Sequence, residues 1–217
     1  MLILFRTCLR ALIFIFTASS AMAETEPMSS SLILNGGYSS EKNACASPWL
    51  SGLNPGGSCS EGNSALRLAY DYQITQTWGF EISYGDLGNS TGSGTWASNG
   101  LPATWSMKAI GWSYAGTATV PLGDGLSLFG KLGTVRTEFS ESLHAGTLAT
   151  SWNGVPISRQ IKNAMTYGFG LQYELSKKYA LRTQYENFGT YDIYGVYGTS
   201  SSRIEISMVS AGLVLKF

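Results

Sequence analysis

His144 is the only histidine, and it stands among hydroxyls and carboxylates in Glu138-Phe139-Ser140-Glu141-Ser142-Leu143-His144. A serine, a histidine and a carboxylate could supply the nucleophile, base and orienting acid of hydrolytic chemistry. A barrel hydrolase of that type would carry the histidine on a strand with a serine two residues later, and position 146 is glycine. The segment therefore reads as a solvated loop with a lone histidine. A metal site needs several His, Cys or carboxylate ligands converging at ligand spacing. One histidine and two cysteines expected to bond to each other leave too few, so no metal and no cofactor are expected.

The elements that would position any site begin after an export signal. Arg6 and Arg10 precede the apolar run Ala11 to Phe16, and Ala21-Met22-Ala23 follows as an A-x-A cleavage site. The run is too short for a spanning helix, which needs about 20 residues. Residues 1–23 are read as a cleaved signal, 24–30 as a short N-terminal segment and 31–217 as one domain. Cys8 leaves with the signal, in a context unlike that of a lipidated cysteine. Cys45 and Cys59 stay in a Gly/Ser/Pro-rich stretch, and in an oxidising compartment they are expected to form one local disulfide. Removing the signal takes two arginines and no acid, so the formal charge goes from zero to −2. That leaves no basic footprint for nucleic acid.

Only 13% of the residues are charged, against roughly 25% in soluble domains, and no later segment resembles a spanning helix. Alternation accounts for the deficit. Leu66, Leu68, Tyr70, Tyr72 and Ile74 alternate with Arg67, Ala69, Asp71 and Gln73, the period of a strand with one apolar face. Phe80, Ile82 and Tyr84 alternate with Glu81 and Ser83, and Tyr167, Phe169, Leu171 and Tyr173 with Thr166, Gly168, Gly170, Gln172 and Glu174. Leu181, Thr183 and Tyr185 alternate with Arg182, Gln184 and Glu186. At the end of the chain Val209, Ala211, Leu213, Leu215 and Phe217 share one face. Segments 31–39, 104–120 and 126–138 bring the count to eight strands.

A soluble sandwich would bury its large aliphatic side chains and wet the opposite face. Here the apolar face is broad and aromatic while the other mixes glycine with isolated charges, which fits lipid outside and a narrow polar interior. Three short polar turns, at 75–77, 122–125 and 176–178, alternate with four long connections near 40–63, 89–103, 140–162 and 190–202. That is the hairpin rhythm of an outer-membrane barrel with even strand number. Trp78, Tyr72, Tyr173, Tyr179 and Phe217 fall near the short turns, and Tyr38, Tyr84 and Trp105 near the long loops, as interfacial aromatics do. The fold class is an all-β, eight-stranded, antiparallel up-and-down transmembrane barrel in the outer membrane of a Gram-negative cell.

Leu126-Ser127-Leu128-Phe129-Gly130-Lys131-Leu132-Gly133, Tyr167-Gly168-Phe169-Gly170-Leu171-Gln172-Tyr173, Leu181-Arg182-Thr183-Gln184-Tyr185-Glu186 and the ending Val209 to Phe217 together resemble the OmpA-like transmembrane domain. The resemblance covers nearly the whole mature chain. It implies that Phe217, with Leu213 and Leu215 at alternate positions, ends a signal read by the outer-membrane assembly machinery. The chain stops at Phe217, so the periplasmic peptidoglycan-binding domain of longer family members, and their cell-wall anchoring, are not expected. Thr117 and Gln172 stand where family members often place further charges, which implies a thinner interior network.

The lumen is where the physical reading goes furthest. Glu81 lies three residues beyond Trp78 and Arg182 three beyond Tyr179, on strands four apart in a ring of eight, so they approach at similar depth from opposite walls. The interior of such a ring is just wide enough for side chains, and a buried charge needs a partner. Glu81 and Arg182 are expected to pair, as the resemblance also implies, plugging the barrel. Lys131 is an alternative partner for Glu81, and Arg67 with Glu186 forms a second layer; Asp71, Gln172 and Gln184 are further lumen polar groups. On this reading Glu81→Ala or Arg182→Ala opens the constriction and raises conductance.

The function expected is a structural barrel with surface-exposed loops, compatible with a narrow or gated pore; a wide channel is excluded by strand number. A surface adhesin or binding module would use the loop aromatics Trp49, Trp96, Trp152, Tyr191, Tyr194 and Tyr197 against a host or cell-surface ligand. A lipid A-modifying enzyme is a further alternative, weakened by Gly146. Outer-membrane lipid, lipopolysaccharide and the assembly machinery are the expected partners, and the nearly neutral loops offer no patch for polyanions.

Overall fold

A computed structural model describes residues 29–46, 57–96, 100–145, 152–194 and 201–217. The expected signal segment, Trp49 and Tyr197 lie outside the described residues. The strands are β1 (Ser29–Lys42), β2 (Ser58–Ser60), β3 (Gly62–Gln73), β4 (Trp78–Thr95), β5 (Pro102–Gly123), β6 (Leu126–Ala145), β7 (Trp152–Glu174), β8 (Tyr179–Tyr194) and β9 (Ser201–Lys216). The eight long strands are each antiparallel to both neighbours. β1 pairs with β3 and with β9, and β4 with β5, so the ring closes without an edge. Closure is what lipid demands, because an unpaired backbone group has no water to turn to there. The ninth strand, β2, is a short addition on the outer part of β4.

At membrane level the alternation turns as expected. Leu68, Leu34, Leu213, Leu181 and Tyr173 form one apolar rung across five consecutive strands of the ring, all of them exposed. The short turns are tight. In one of them Gly123 (φ 103), Asp124 (φ 51) and Gly125 (φ 77) all take left-handed backbone, which two glycines and an aspartate tolerate best.

The long connections differ from expectation. β4 continues through Ser90 and Gly94, β5 starts at Pro102, β6 runs to Ala145 and β7 starts at Trp152, so much of 89–103 and 140–162 is ladder, not loop. β5 has 22 residues; at about 3.3 Å per residue and a tilt near 40° it stands roughly 55 Å tall, twice the apolar band of about 25 Å. The wall made by β4 to β7 therefore projects well beyond the bilayer.

Above the membrane the burial pattern reverses, because water now lies outside and the apolar side chains turn in. Trp105, Met107, Ala109, Val135, Phe139, Phe188, Tyr191, Ile193, Ile204, Ile206 and Met208 pack inside the ring as a core. Trp105 is 1% exposed and Tyr191 2% exposed. Trp105 is thus not an interfacial aromatic, and Tyr191 is not available to a surface ligand; Trp96 packs partly buried against the same core. His144 sits on β6 opposite Thr104, exposed on the outer face, instead of in a loop.

The described ends of the first long connection pack against this collar. Ala44, fully buried, begins a 3-10 turn that packs on the core. Ser202 Oγ donates to the Ala46 carbonyl at 2.9 Å, the Cys45 N–H donates to Glu61 Oε1 at 3.0 Å, and Cys45 is disulfide-bonded to Cys59 in the middle of β2. A closed loop of this length gains up to about 3 kcal/mol in the chain-entropy model. Cys45→Ser should therefore make the segment between Asn43 and Ser60 several-fold faster to cut in limited proteolysis while the barrel keeps its heat-modifiable migration. Equal cutting rates with and without the bond would show that the hydrogen bonds of Cys45 and Ala46 alone hold this segment on the core.

Candidate functional site

The lumen at membrane level holds a network of charges that come from four of the eight long strands. Arg67 (β3), Glu81 (β4), Lys131 (β6), Arg182 and Glu186 (β8) all point inward and are almost fully buried. Glu81 is the hub. It accepts from Lys131 Nζ at 2.7 Å through Oε1 and faces Arg182 Nη2 at 3.1 Å through Oε2. Lys131 also reaches Glu186 Oε1 at 2.9 Å, and Arg67 bonds to the other oxygen of Glu186. Lys131 is therefore not an alternative to Arg182 but a bridge held by both carboxylates, and it joins the two expected layers into one.

Neighbouring residues give these long side chains their room. Lys131, Gly168 and Glu186 are directly opposed across β6, β7 and β8. A Cβ on Gly168 would lie 3.1 Å from Lys131 Cε, 3.0 Å from Glu186 Cγ and 2.8 Å from the Tyr185 carbonyl, so only glycine lets the pair meet across the middle strand. Thr117 lies beside Lys131 and Gln172 beside Arg182 in the same manner.

Two aromatics complete the network. The Arg182 guanidinium lies 3.7 Å over the Phe129 ring, and that of Arg67 4.6 Å over Phe188. Such stacking suits a planar, weakly hydrated cation. Arg67 also donates to Ser83 and, at 2.9 Å, to Ser113. Gln184 donates to Glu186 at 3.1 Å. Asp71 accepts from Gln73 at 3.2 Å and has no cation within ion-pair distance among the described residues. Phe129 is a site residue that the sequence does not single out, although it shares the parity of Lys131, which is the signal that marks it as facing the lumen.

Below the network a cavity of about 350 Å³ opens toward the short-turn end between Asp71, Gln73, Thr117, Gln172 and Phe129, and ends on Arg182. At its mouth Lys216 is paired with Glu174 at 2.5 Å. Above the network the apolar core fills the ring. The lumen thus carries two obstructions in series, and removing charge from one no longer predicts an open path.

The other expected site residues separate. Leu213, Leu215 and Phe217 are exposed on the lipid side of β9, with Phe217 N–H donating to the Ser30 carbonyl at 2.9 Å. Of the hydroxyls and carboxylates near His144, Glu138 is held by Arg159 at 2.7 Å, and Ser142 is paired with Ser106 at 2.7 Å.

A family model described as OmpA-like transmembrane domain matches residues 37–217. No match is found among curated proteins. Among solved structures, Ail, the attachment invasion locus protein of Yersinia pestis, in complex with the heparin analogue sucrose octasulfate, is 15% identical with a TM-score of 0.52, over 88% of this chain and 100% of that one. Neisserial surface protein A is 13% identical with a TM-score of 0.53, over 88% and 100%. The outer membrane protein OprG of Pseudomonas aeruginosa is 14% identical with a TM-score of 0.52, over 86% and 95%. At these identities the likeness is one of fold.

Proposed function

The chain belongs to the OmpA-like transmembrane domain family and is an outer-membrane β-barrel of Gram-negative bacteria, and we propose that it serves as a sealed scaffold that holds a rigid collar above the cell surface. The observation that carries this reading is the interior, filled twice over. The charge network closes the lumen within the membrane and the apolar core closes it again outside. A conducting role would need both to move together.

The collar is the part a partner would meet. Its described outward charges are largely paired, Arg203 with Asp192 at 3.2 Å and Arg159 with Glu138 at 2.7 Å. A dense sulfated ligand, such as the one bound to Ail, finds no basic cluster among the described residues. Of the loop aromatics, Tyr191 is buried and Trp96 packs on the core, so neither supports the adhesin reading; the side chains of Trp49, Trp152, Tyr194 and Tyr197 lie outside the described residues.

Planar-bilayer recordings test the scaffold reading. Wild type and Glu81→Ala should both give no steady open-channel current after insertion is verified by heat-modifiable migration. A stable conductance in wild type would overturn the seal. Conductance in Glu81→Ala alone would show that the outer core is no barrier and restore the gated-pore reading.

Export supplies a separate test. Phe217, 71% exposed at the end of β9, is well placed for recognition by the assembly machinery before the ring closes. Phe217→Asp should leave a large fraction of the protein in the periplasm on fractionation, and normal outer-membrane yield would sink this role.

A further inference from the structure

On the wall made by β4 to β7, Arg136 stands apart from the paired charges. Across the tall wall, Tyr84, Trp112, Arg136 and Asn163 form one rung and Asp86, Ile110, Glu138 and Ile161 the next rung outward. On this face Lys108 pairs with Asp86 at 3.8 Å and Arg159 with Glu138 at 2.7 Å. Arg136 is exposed and makes no ion pair among the described residues. It overhangs a groove of about 180 Å³ lined by Tyr84, Ile110, Trp112, Glu138 and Ile161.

The depth of the groove selects what fills it. Immediately toward the periplasm lie Leu132 (60% exposed) and Met165 (66% exposed), which belong to the lipid-facing band. Immediately outward lie the paired charges. Arginine on the lipid face is costly at the midplane and nearly free at the interface, so this rung marks the outer headgroup level. Tyr84 and Trp112, with ring centroids 4.6 Å apart, form an aromatic shelf there.

We propose that the groove holds the phosphorylated glucosamine headgroup of a lipid A molecule from the outer leaflet. The phosphate docks on Arg136, whose fork of donors matches phosphate oxygens in a bidentate way. The apolar face of the sugar lies on the Tyr84–Trp112 shelf, and the first methylenes of an acyl chain run against Ile110 and Ile161. The neighbouring carboxylates are neutralised by Lys108 and Arg159, so they do not repel the phosphate. Location in the outer membrane is the only part of the preceding reading on which this site depends; it stands whether or not the lumen is sealed.

The test uses the refolded full barrel in detergent at limiting lipid, with native mass spectrometry counting the lipids retained. The probes are diphosphoryl lipid A, its dephosphorylated form and dioleoylphosphatidylglycerol. Wild type should retain one diphosphoryl lipid A about tenfold more strongly than either comparison lipid. Arg136→Gln should lose about that factor, as expected for one charge-assisted contact, and Arg136→Lys should retain part of it. Trp112→Ala should weaken binding with the phosphate preference kept. Lys177→Gln, at a periplasmic turn, should change nothing. Equal retention by wild type and Arg136→Gln overturns the site. So does equal retention of phosphatidylglycerol, which would mean a general anion contact. Heat-modifiable migration of each variant separates loss of binding from loss of fold.

Discussion

Glu81→Ala should destabilise the barrel by about 3–5 kcal/mol, the range seen when one partner of a buried ion pair is removed. Among the described residues Glu81 is the only carboxylate within ion-pair distance of Arg182, and it shares Lys131 with Glu186. Without it, Arg182 keeps the Phe129 ring and no acid. Deleting both ends should hurt less than the sum, because the double variant buries one fewer orphan charge. A cycle of Glu81→Ala, Arg182→Ala and the double variant, followed by urea unfolding in detergent, should show coupling of at least about 1 kcal/mol. Additive effects would mean that trapped water, not the partner, satisfies each charge.

The collar should be tighter in acid than in alkali. Glu41 is fully buried at the outer end of β1, beyond the last lipid-facing residue of that strand, Tyr38. Burial raises its carboxyl to about 7, against the opposing effect of a hydrogen bond from Ser90, while the nearby Asp86 and Glu61 add like charge. Glu141, 3% exposed on β6, is likewise raised to about 7 by burial; the Trp105 indole lies beside it without completing a hydrogen bond. Both folded values lie above the unfolded value of 4.5. Between pH 4.5 and about 7 the folded collar holds protons that the unfolded chain has released, so stability is full below that window and is lost as pH rises through it. Each carboxyl is worth up to about 3 kcal/mol. Hydrogen exchange of the outer parts of β1 and β6 should accelerate from pH 5 to pH 8 beyond the intrinsic base-catalysed rate. Glu41→Gln and Glu141→Gln should flatten that extra dependence and slow exchange at pH 8. An unchanged profile in the double variant would place the titration elsewhere.

The sequence is legible where one rule holds along a strand. From Leu66 to Gln73 and from Tyr167 to Glu174, large apolar residues face lipid and the alternate set faces the lumen, so parity turns Glu81 and Arg182 inward and the strand count sets them on facing walls. The same alternation continues into the collar, but there the large residues turn inward. The sequence puts Trp105 and Tyr191 on the outside because nothing in their neighbours says which solvent a strand has entered. The glycine- and serine-rich run 88–95 looked like a loop because its side chains are small. Its backbone is nevertheless held by β5, with Gly92 opposite Trp105 and Ser93 opposite Thr104. Gly168 shows a different limit: its importance lies in the two residues it separates, and those are known only once the register is.

The collar presents only half of its sequence to anything outside the cell. Along residues 134–144, Arg136, Glu138, Ser140, Ser142 and His144 face outward, while Val135, Thr137, Phe139, Glu141 and Leu143 are between 0% and 8% exposed. An immunogen made as the free peptide would display both sets, and its bulkiest apolar side chains would be those the native surface hides. Antibodies that recognise Phe139 or Leu143 would bind the peptide and pass over the intact bacterium. Useful epitopes on this wall are read across strands, as in the row Lys108, Ser140 and Arg159, and exist only after the barrel has closed.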